Sequence, residues 1–189
     1  MRPRFFIFLQ KNHLMRLLIS TLLFLLPTLL VGQSDSTENA ATLPEGFFDM
    51  LTADPLIMEA PSEEFVRMEQ DNGYEHPELK AKLAYIMLPV PYERMEKDMQ
   101  ASLDKGRPGM EVLGGGVETI GNHQGLAMRV RMKAPPEEEL GDFLGLMFII
   151  PAKEGTQCVS INAIFPESHQ DQLEPLMMKS IGECEVRDE

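Results

Sequence analysis

Residues 125–165 read GLAMRVRMKA, PPEEELG, DFLGLMFIIP, AKEGTQ, CVSINAIF, and this stretch decides the fold. In its first part Met128, Val130 and Met132 alternate with Arg129, Arg131 and Lys133, the period of two expected of a strand with one covered face. Phe143 to Ile150 is almost continuously apolar, the pattern of a central strand covered on both sides. From Cys158 to Phe165 alternation returns, with Val159, Ile161, Ala163 and Phe165 on one side and Cys158, Ser160 and Asn162 on the other. The two intervening segments are turn-like, so the three strands predict an antiparallel sheet.

Working outward, Ala81 to Val90 is a further apolar strand, ended by Pro89 and Pro91 because proline cannot donate to a ladder. Tyr92 to Lys105 carries Tyr92, Met95, Met99 and Leu103 at spacings of three and four, which predicts a helix with one apolar stripe. Gly106 stands where its C-terminal cap belongs, with Pro108 beyond. Glu111 to Ile120 predicts a strand, and Gly121 to Gly125 the turn into the meander. Phe65 to Glu69 predicts a first strand, and Asp71-Asn72-Gly73 a turn. After the meander, Ser168 and Asp171 resemble a helix start, while Leu173, Leu176, Met177 and Ile181 fall at helical spacing. Pro175 either sits in that helix's first turn or kinks a longer one, and Gly182 stops it. The expected class is α+β: an antiparallel sheet with an amphipathic helix and a C-terminal helix packed on it.

The N-terminus reads as an address. Arg2, Arg4, Lys11 and Arg16 precede an apolar run from Leu17 to Val31, followed by the small residue Gly32. A basic flank, a short apolar core and a small residue make a secretory signal peptide over 1–32. The run is marginal for a membrane span, and Pro27 suits a leader better. Met15-Arg16 followed by the apolar run is also a compact leader by itself. Residues 33–46 are polar and small, a flexible linker, leaving 47–189 as a single domain. Phe47, Phe48, Met50 and Leu51 could pack as an N-terminal arm or seek a partner. These readings place the protein outside the cytoplasm, secreted or periplasmic, with no membrane span once the leader is removed.

The formal charge is −13, and losing the basic leader would make the chain more acidic still. Such a balance opposes nucleic-acid binding, which needs a cationic face for the phosphates. Two cysteines, Cys158 and Cys184, in an exported chain suggest one disulfide. A strand climbing about 25 Å at ~3.3 Å per residue, followed by a helix returning about 20 Å at ~1.5 Å per residue, would bring Cys184 back toward Cys158. Against this, Cys158 points to the face opposite the apolar one. Two free thiols, or a metal pair lacking its other ligands, stay open as alternatives.

The remaining motifs are weak. Gly114-Gly115-Gly116 lacks the lysine and hydroxyl of a phosphate loop and reads as a bulge or twisted strand. His76, His123 and His169 are scattered, and only His123 near Glu118 merits inspection as a pair. No serine or cysteine stands in a nucleophile context, and Glu137-Glu138-Glu139 lacks the ligand spacing of a calcium loop. No catalytic residue, cofactor or metal site is expected. The M-x-x-x-M pairs Met95/Met99 and Met128/Met132 could bind copper as Cu(I), but methionine as core filler is the stronger reading. Arg129, Arg131 and Lys133 form a basic row that either neutralises nearby glutamates or receives an anion or an acidic partner.

The segments AYIMLPVPYERMEKDMQASL, GGGVETIGNHQGLAMRVRM, CVSINAIFPE and LMMKSIG, in that order, resemble the PsbP-like α/β/α sandwich superfamily over Phe65 to Gly182. That resemblance implies a largely non-catalytic domain that docks on other proteins, and carries over no active site. The expected role is therefore an exported, non-enzymatic protein-partner or assembly module of the cell envelope. The alternative is a periplasmic small-molecule or metal carrier, copper being the candidate metal.

Overall fold

The computed structural model describes residues 54–69, 71–103, 109–134, 138–152 and 155–187, without the side chains of 100–103. The chain divides into two units, Met1–Pro44 and Glu45–Glu189, and every described residue lies in the second. The leader, the linker, Phe47 and Phe48, Gly106, Pro108 and Glu137 lie outside the described residues.

Nine strands and two helices make up the described part: β1 (Leu56–Ile57), β2 (Val66–Arg67), β3 (Gly73–His76), β4 (Ala81–Leu88), α1 (Tyr92–Leu103), β5 (Met110–Ile120), β6 (His123–Met132), β7 (Phe143–Pro151), β8 (Cys158–Pro166), α2 (Gln170–Glu183) and β9 (Glu185–Val186). Seven strands form one antiparallel sheet in the order β2-β3-β4-β8-β7-β6-β5, and β1 pairs with β9 separately. The expected meander is its centre and one flank. The α+β class with both helices on the sheet is as expected.

The two faces of the sheet carry different cores. Val159, Ile161, Ala163 and Phe165 of β8 join Leu83, Tyr85, Leu144, Leu146, Phe148 and Ile150 beneath Leu173, Met177 and Ile181 of α2. Buried apolar residues outside that cluster include Leu88, Leu126, Val130, Phe143, Ile149 and Ile164. Register and strand alternation put all six on the other side. There α1 packs against β5 and β7, with Met95 and Met99 buried. Because β8 lies in mid-sheet between two helical layers, its Ser160 is enclosed and only Asn162 is half-buried. Ser160 is 1% exposed, and its hydroxyl receives the Asn162 amide at 3.1 Å.

Three local details depart from expectation. β3 occupies part of the segment read as a turn. Its Gly73 (φ 135°) passes so close to β4 that an added Cβ would lie 2.8 Å from the Ala84 Cα. Ser168 does not cap α2, its hydroxyl donating to the Leu140 carbonyl at 3.3 Å. The helix begins at Gln170 after a single 3-10 turn, Glu167–His169, so Pro175 lies inside it.

Candidate functional site

The basic row is where the alternation of β6 puts it, on the α2 side of the sheet together with Ala127. Its register with β5 sets Glu111 opposite Arg131 and Gly114 opposite Arg129. Each cation has taken a carboxylate. Arg129 pairs with Glu118, and Arg131 holds Glu111 at 2.9 Å and Glu167 at 2.7 Å. Lys133 binds Asp142 at 2.6 Å. The pairing is mutual: hydrogen bonds from Glu167, then Glu111, raise the Arg131 guanidinium above its ordinary value. Lys133, joined by the Ala134 N–H at 3.1 Å, holds the Asp142 carboxyl below the usual range. The neutralising reading of this row therefore describes the geometry. The row straps the β5–β6 hairpin to the start of β7 and to the turn that leads into α2.

Cys158 and Cys184 are not brought together, which corrects the expected disulfide: both are free thiols, 0% and 4% exposed. The cause is strand alternation. Cys158 faces the α1 side, near Tyr92, while Cys184 follows α2 and belongs to the core on the opposite side. The sheet stands between them. Burial pushes the Cys158 thiol up to about 12 and the Cys184 thiol up to about 11, so neither is a ready nucleophile or metal ligand.

His123 does not pair with Glu118. Its Nε2 stands 2.7 Å from the Cys184 carbonyl oxygen and 3.6 Å from the Cys184 Sγ, clasping the end of α2. His76 is 6% exposed and stacks edge-on against Phe65 at 5.3 Å between ring centres. The three-glycine run bears out the bulge reading, since the β5–β6 register shifts between Val112 and Gly114. Of the acidic run, Glu138 accepts from Lys80 at 2.7 Å and 2.9 Å, which lowers its carboxyl below the ordinary value.

Three features were not singled out from sequence. Arg67 lies between Tyr74 and Tyr85, 5.3 Å and 5.8 Å from their ring centres. It donates to the Tyr85 hydroxyl at 2.9 Å and to Asp54 at 3.0 Å, and Asp54 also meets Arg187 at 3.6 Å. Burial raises the Tyr85 phenol above its ordinary value, against the pull of the Arg67 hydrogen bond. Second, β5 is an outer strand of the sheet and exposes Leu113 and Val117. Third, Met110 and Met147 join Met128 and Met132, the pair the sequence did single out, on the α1 side of the sheet, all four half-buried. Each feature depends on which strands are neighbours, information that local periodicity does not contain. Among the described residues no group of three or more His, Cys, Asp and Glu is disposed to hold a metal, and no helix is long and apolar enough to cross a membrane.

Neither a family model nor a curated protein matches the chain. Among solved structures, LpqN, described as involved in cell envelope biogenesis of Mycobacterium tuberculosis, matches with a TM-score of 0.51 and 10% identity, over 70% of this chain and 83% of LpqN. The solution structure of cyanobacterial PsbP (CyanoP) from Synechocystis sp. PCC 6803 matches over 81% of this chain and 99% of its own, with a TM-score of 0.44 and 9% identity. A Pseudomonas aeruginosa protein of unknown function, PA94, covers 84% of this chain and 95% of its own at a TM-score of 0.47 and 9% identity. The likeness to LpqN is one of fold alone.

Proposed function

We propose that this chain is an exported, non-enzymatic module of the cell envelope that docks on a protein partner through the outer edge of β5. One observation carries the reading. Among the described residues β5 pairs with β6 alone, and its exposed residues include Leu113 at 45% and Val117 at 54%. Soluble proteins usually blunt a long outer strand with lysine or proline, or twist it away with a bulge. β5 has no Lys, Arg or Pro from Met110 to Ile120. Its bulge near Leu113 leaves Gly114 to Ile120 in regular register with β6. Over that stretch Gly114 and Gly116 have no described atom within 4 Å of where a Cβ would stand, so among the described residues the sheet face is uncovered there. An extended partner segment can add to such an edge, its backbone completing the ladder while Leu113 and Val117 supply apolar contact. The paired basic row leaves this hairpin locally neutralised in an acidic chain, so an approaching strand meets little repulsion.

Export rests on the N-terminal leader pattern, and the envelope setting agrees with that of LpqN, described as involved in cell envelope biogenesis. The test is site-specific photo-crosslinking from Val117 in cells, beside a Leu113→Lys/Val117→Lys variant. A discrete crosslinked envelope protein, lost in the lysine variant while secretion and thermal stability persist, is expected. An unchanged crosslink in that variant, or no crosslink in the native chain, refutes the β5 edge as the docking site.

A further inference from the structure

The outer edge of β5 is complementary to itself. The turn between β5 and β6 has two residues, Gly121 and Asn122, and the pair flanking such a turn, here Ile120 and His123, is hydrogen-bonded. Alternation along the ladder then points the backbone N–H and C=O of Thr119, Val117 and Gly115 away from β6. A further strand must satisfy these groups, and an antiparallel copy of the same segment does so when Val117 stands opposite Val117. In that register Thr119 faces Gly115 of the second copy, Glu118 faces Gly116 and Ile120 faces Gly114. Each of these larger side chains meets a glycine, and no carboxylate meets its like. Gly114 and Gly116 have no described atom within 4 Å of where a Cβ would stand, so the opposing side chains find room there.

Charge points to the same occupant. Arg129 stands opposite Gly114 and reaches along the strand, past Gly116, to pair with Glu118 of its own chain. That span is four residues and one strand spacing, about 14 Å between Cβ positions. Glu118 of the second copy would lie two residues and two strand spacings from Arg129, about 12 Å. Each arginine therefore has both carboxylates within reach, and the pair leaves surface open for a second contact, with side chains 33% and 34% exposed. A two-fold axis at Val117 sets two arginines and two glutamates over a floor of glycines. The other carboxylate of β5, Glu111, is held by Arg131 at 2.9 Å, so the acidic excess of the chain is not concentrated on this edge.

We infer that in the free protein a second copy of this chain closes the β5 edge, joining the two sheets across a two-fold axis at Val117. The inference rests on β5 being the docking edge and adds a regulation of it: a partner strand must displace the copy to reach the same backbone groups. Such an isologous contact uses up the edge it forms on. The opposite edge of the sheet is β2, with two residues, too short to continue the assembly, so pairing stops at a dimer. The contact is confined to one strand and is smaller than a standard interface. Self-association is therefore weak and concentration-dependent, as displacement requires.

Sedimentation velocity of the purified chain over a wide range of concentration should show monomer and dimer in equilibrium and no larger species. Register is read by oxidation with diamide. Val117→Cys should give a disulfide-linked dimer, because hydrogen-bonded cross-strand partners lie about 5.5 Å apart at Cα, within the reach of a disulfide. Thr119→Cys should give none by itself, but should link to Gly115→Cys when the two variants are mixed. Cys158 and Cys184 are buried and do not compete. Leu113→Lys/Val117→Lys sets lysine opposite lysine and should weaken dimerisation by roughly tenfold or more, with the thermal midpoint of the monomer unchanged. A chain that stays monomeric at every concentration overturns the inference. So does a dimer indifferent to the lysine variant, or one that Thr119→Cys alone links as well as Val117→Cys does. A monomer whose Val117 still crosslinks an envelope protein in cells overturns this inference and leaves the docking proposal standing. A dimer in the stated register that crosslinks no other protein does the reverse.

Discussion

Gly121 and Gly182 meet where the β5–β6 turn touches the last turn of α2, and the contact allows no side chain. A Cβ on Gly121 would overlap the Gly182 backbone, standing 2.6 Å from its carbonyl carbon, and Gly121 has φ 57°. A Cβ on Gly182 would stand 2.9 Å from the Gly121 Cα and 3.1 Å from its nitrogen. The Asn122 N–H closes the junction on the Gly182 carbonyl at 3.2 Å. Gly121→Ala therefore carries two costs. The left-handed backbone costs about 1–2 kcal/mol for a residue with a Cβ, and crowding of a packed contact typically about 1–3 kcal/mol. The sum is about 2–5 kcal/mol. Gly182→Ala suffers the crowding but regains roughly 0.5–1 kcal/mol of helix preference, leaving a net loss of about 0–2.5 kcal/mol. Gly141→Ala isolates the remaining part, because Gly141 has φ 73° with nothing within 4 Å, and should cost about 1–2 kcal/mol. Equilibrium urea unfolding of the three variants, read from midpoints at constant slope, gives the comparison. If Gly121→Ala is no worse than Gly141→Ala, the close approach of the turn and α2 does not constrain the fold and the reasoning fails.

Other perturbations have equally direct readouts. Both thiols should be silent to a thiol reagent at pH 8 in the native chain, because burial raises them to about 12 and about 11. Two equivalents should react in urea without reductant, whereas a mass two hydrogens lower with no reactive thiol would restore the disulfide. Asp142 and Glu138 have folded carboxyls below their ordinary values, through Lys133 and Lys80 respectively. Their contribution to stability is present above the unfolded carboxylate range and is lost as pH falls through the folded values. Lys133→Met should therefore flatten the acid limb of the stability–pH profile. An unchanged limb counts against the pairing. Arg67→Ala removes two ring contacts worth about 0.5–1 kcal/mol each at exposed sites, so a loss of about 1–2 kcal/mol is expected in urea. A loss below 0.3 kcal/mol would show that the stacking is idle.

Strands long enough to show alternation or an apolar run announce themselves in the sequence, and β4 to β8 do so. β1 and β9 have two residues each, too few for any period, and each is defined only by pairing with the other across nearly the whole domain. β3 hides behind Asn72-Gly73, whose turn chemistry is genuine but is followed at once by pairing with β4. The basic row was visible as a row. Its partners were not, because Glu118, Glu111 and Glu167 lie 11, 20 and 36 residues from their arginines. The expected disulfide rested on distance along the sheet, and the objection raised beside it, that Cys158 points to the opposite face, is the one that holds. Alternation had already sent Cys158 to the face that α2 does not cover. M-x-x-x-M on β6 is likewise local, but the pairing of Met128 with Met147 enters only when β7 lies alongside.

The β1–β9 ribbon has a mechanical consequence. Leu56 faces Val186, Ile57 faces Glu185, and the Arg187 N–H reaches the Pro55 carbonyl at 3.0 Å. The chain thus enters and leaves the described fold at neighbouring points on the same end of the ribbon. Tension applied between those points loads its hydrogen bonds one after another, as in opening a zip, and never all together in shear. Under pulling, this ribbon should part first and at low force, yielding a few residues of slack while the seven-stranded sheet and its β5 edge stay in place. A module held at one end and engaged by a partner elsewhere would thereby carry its own shock absorber.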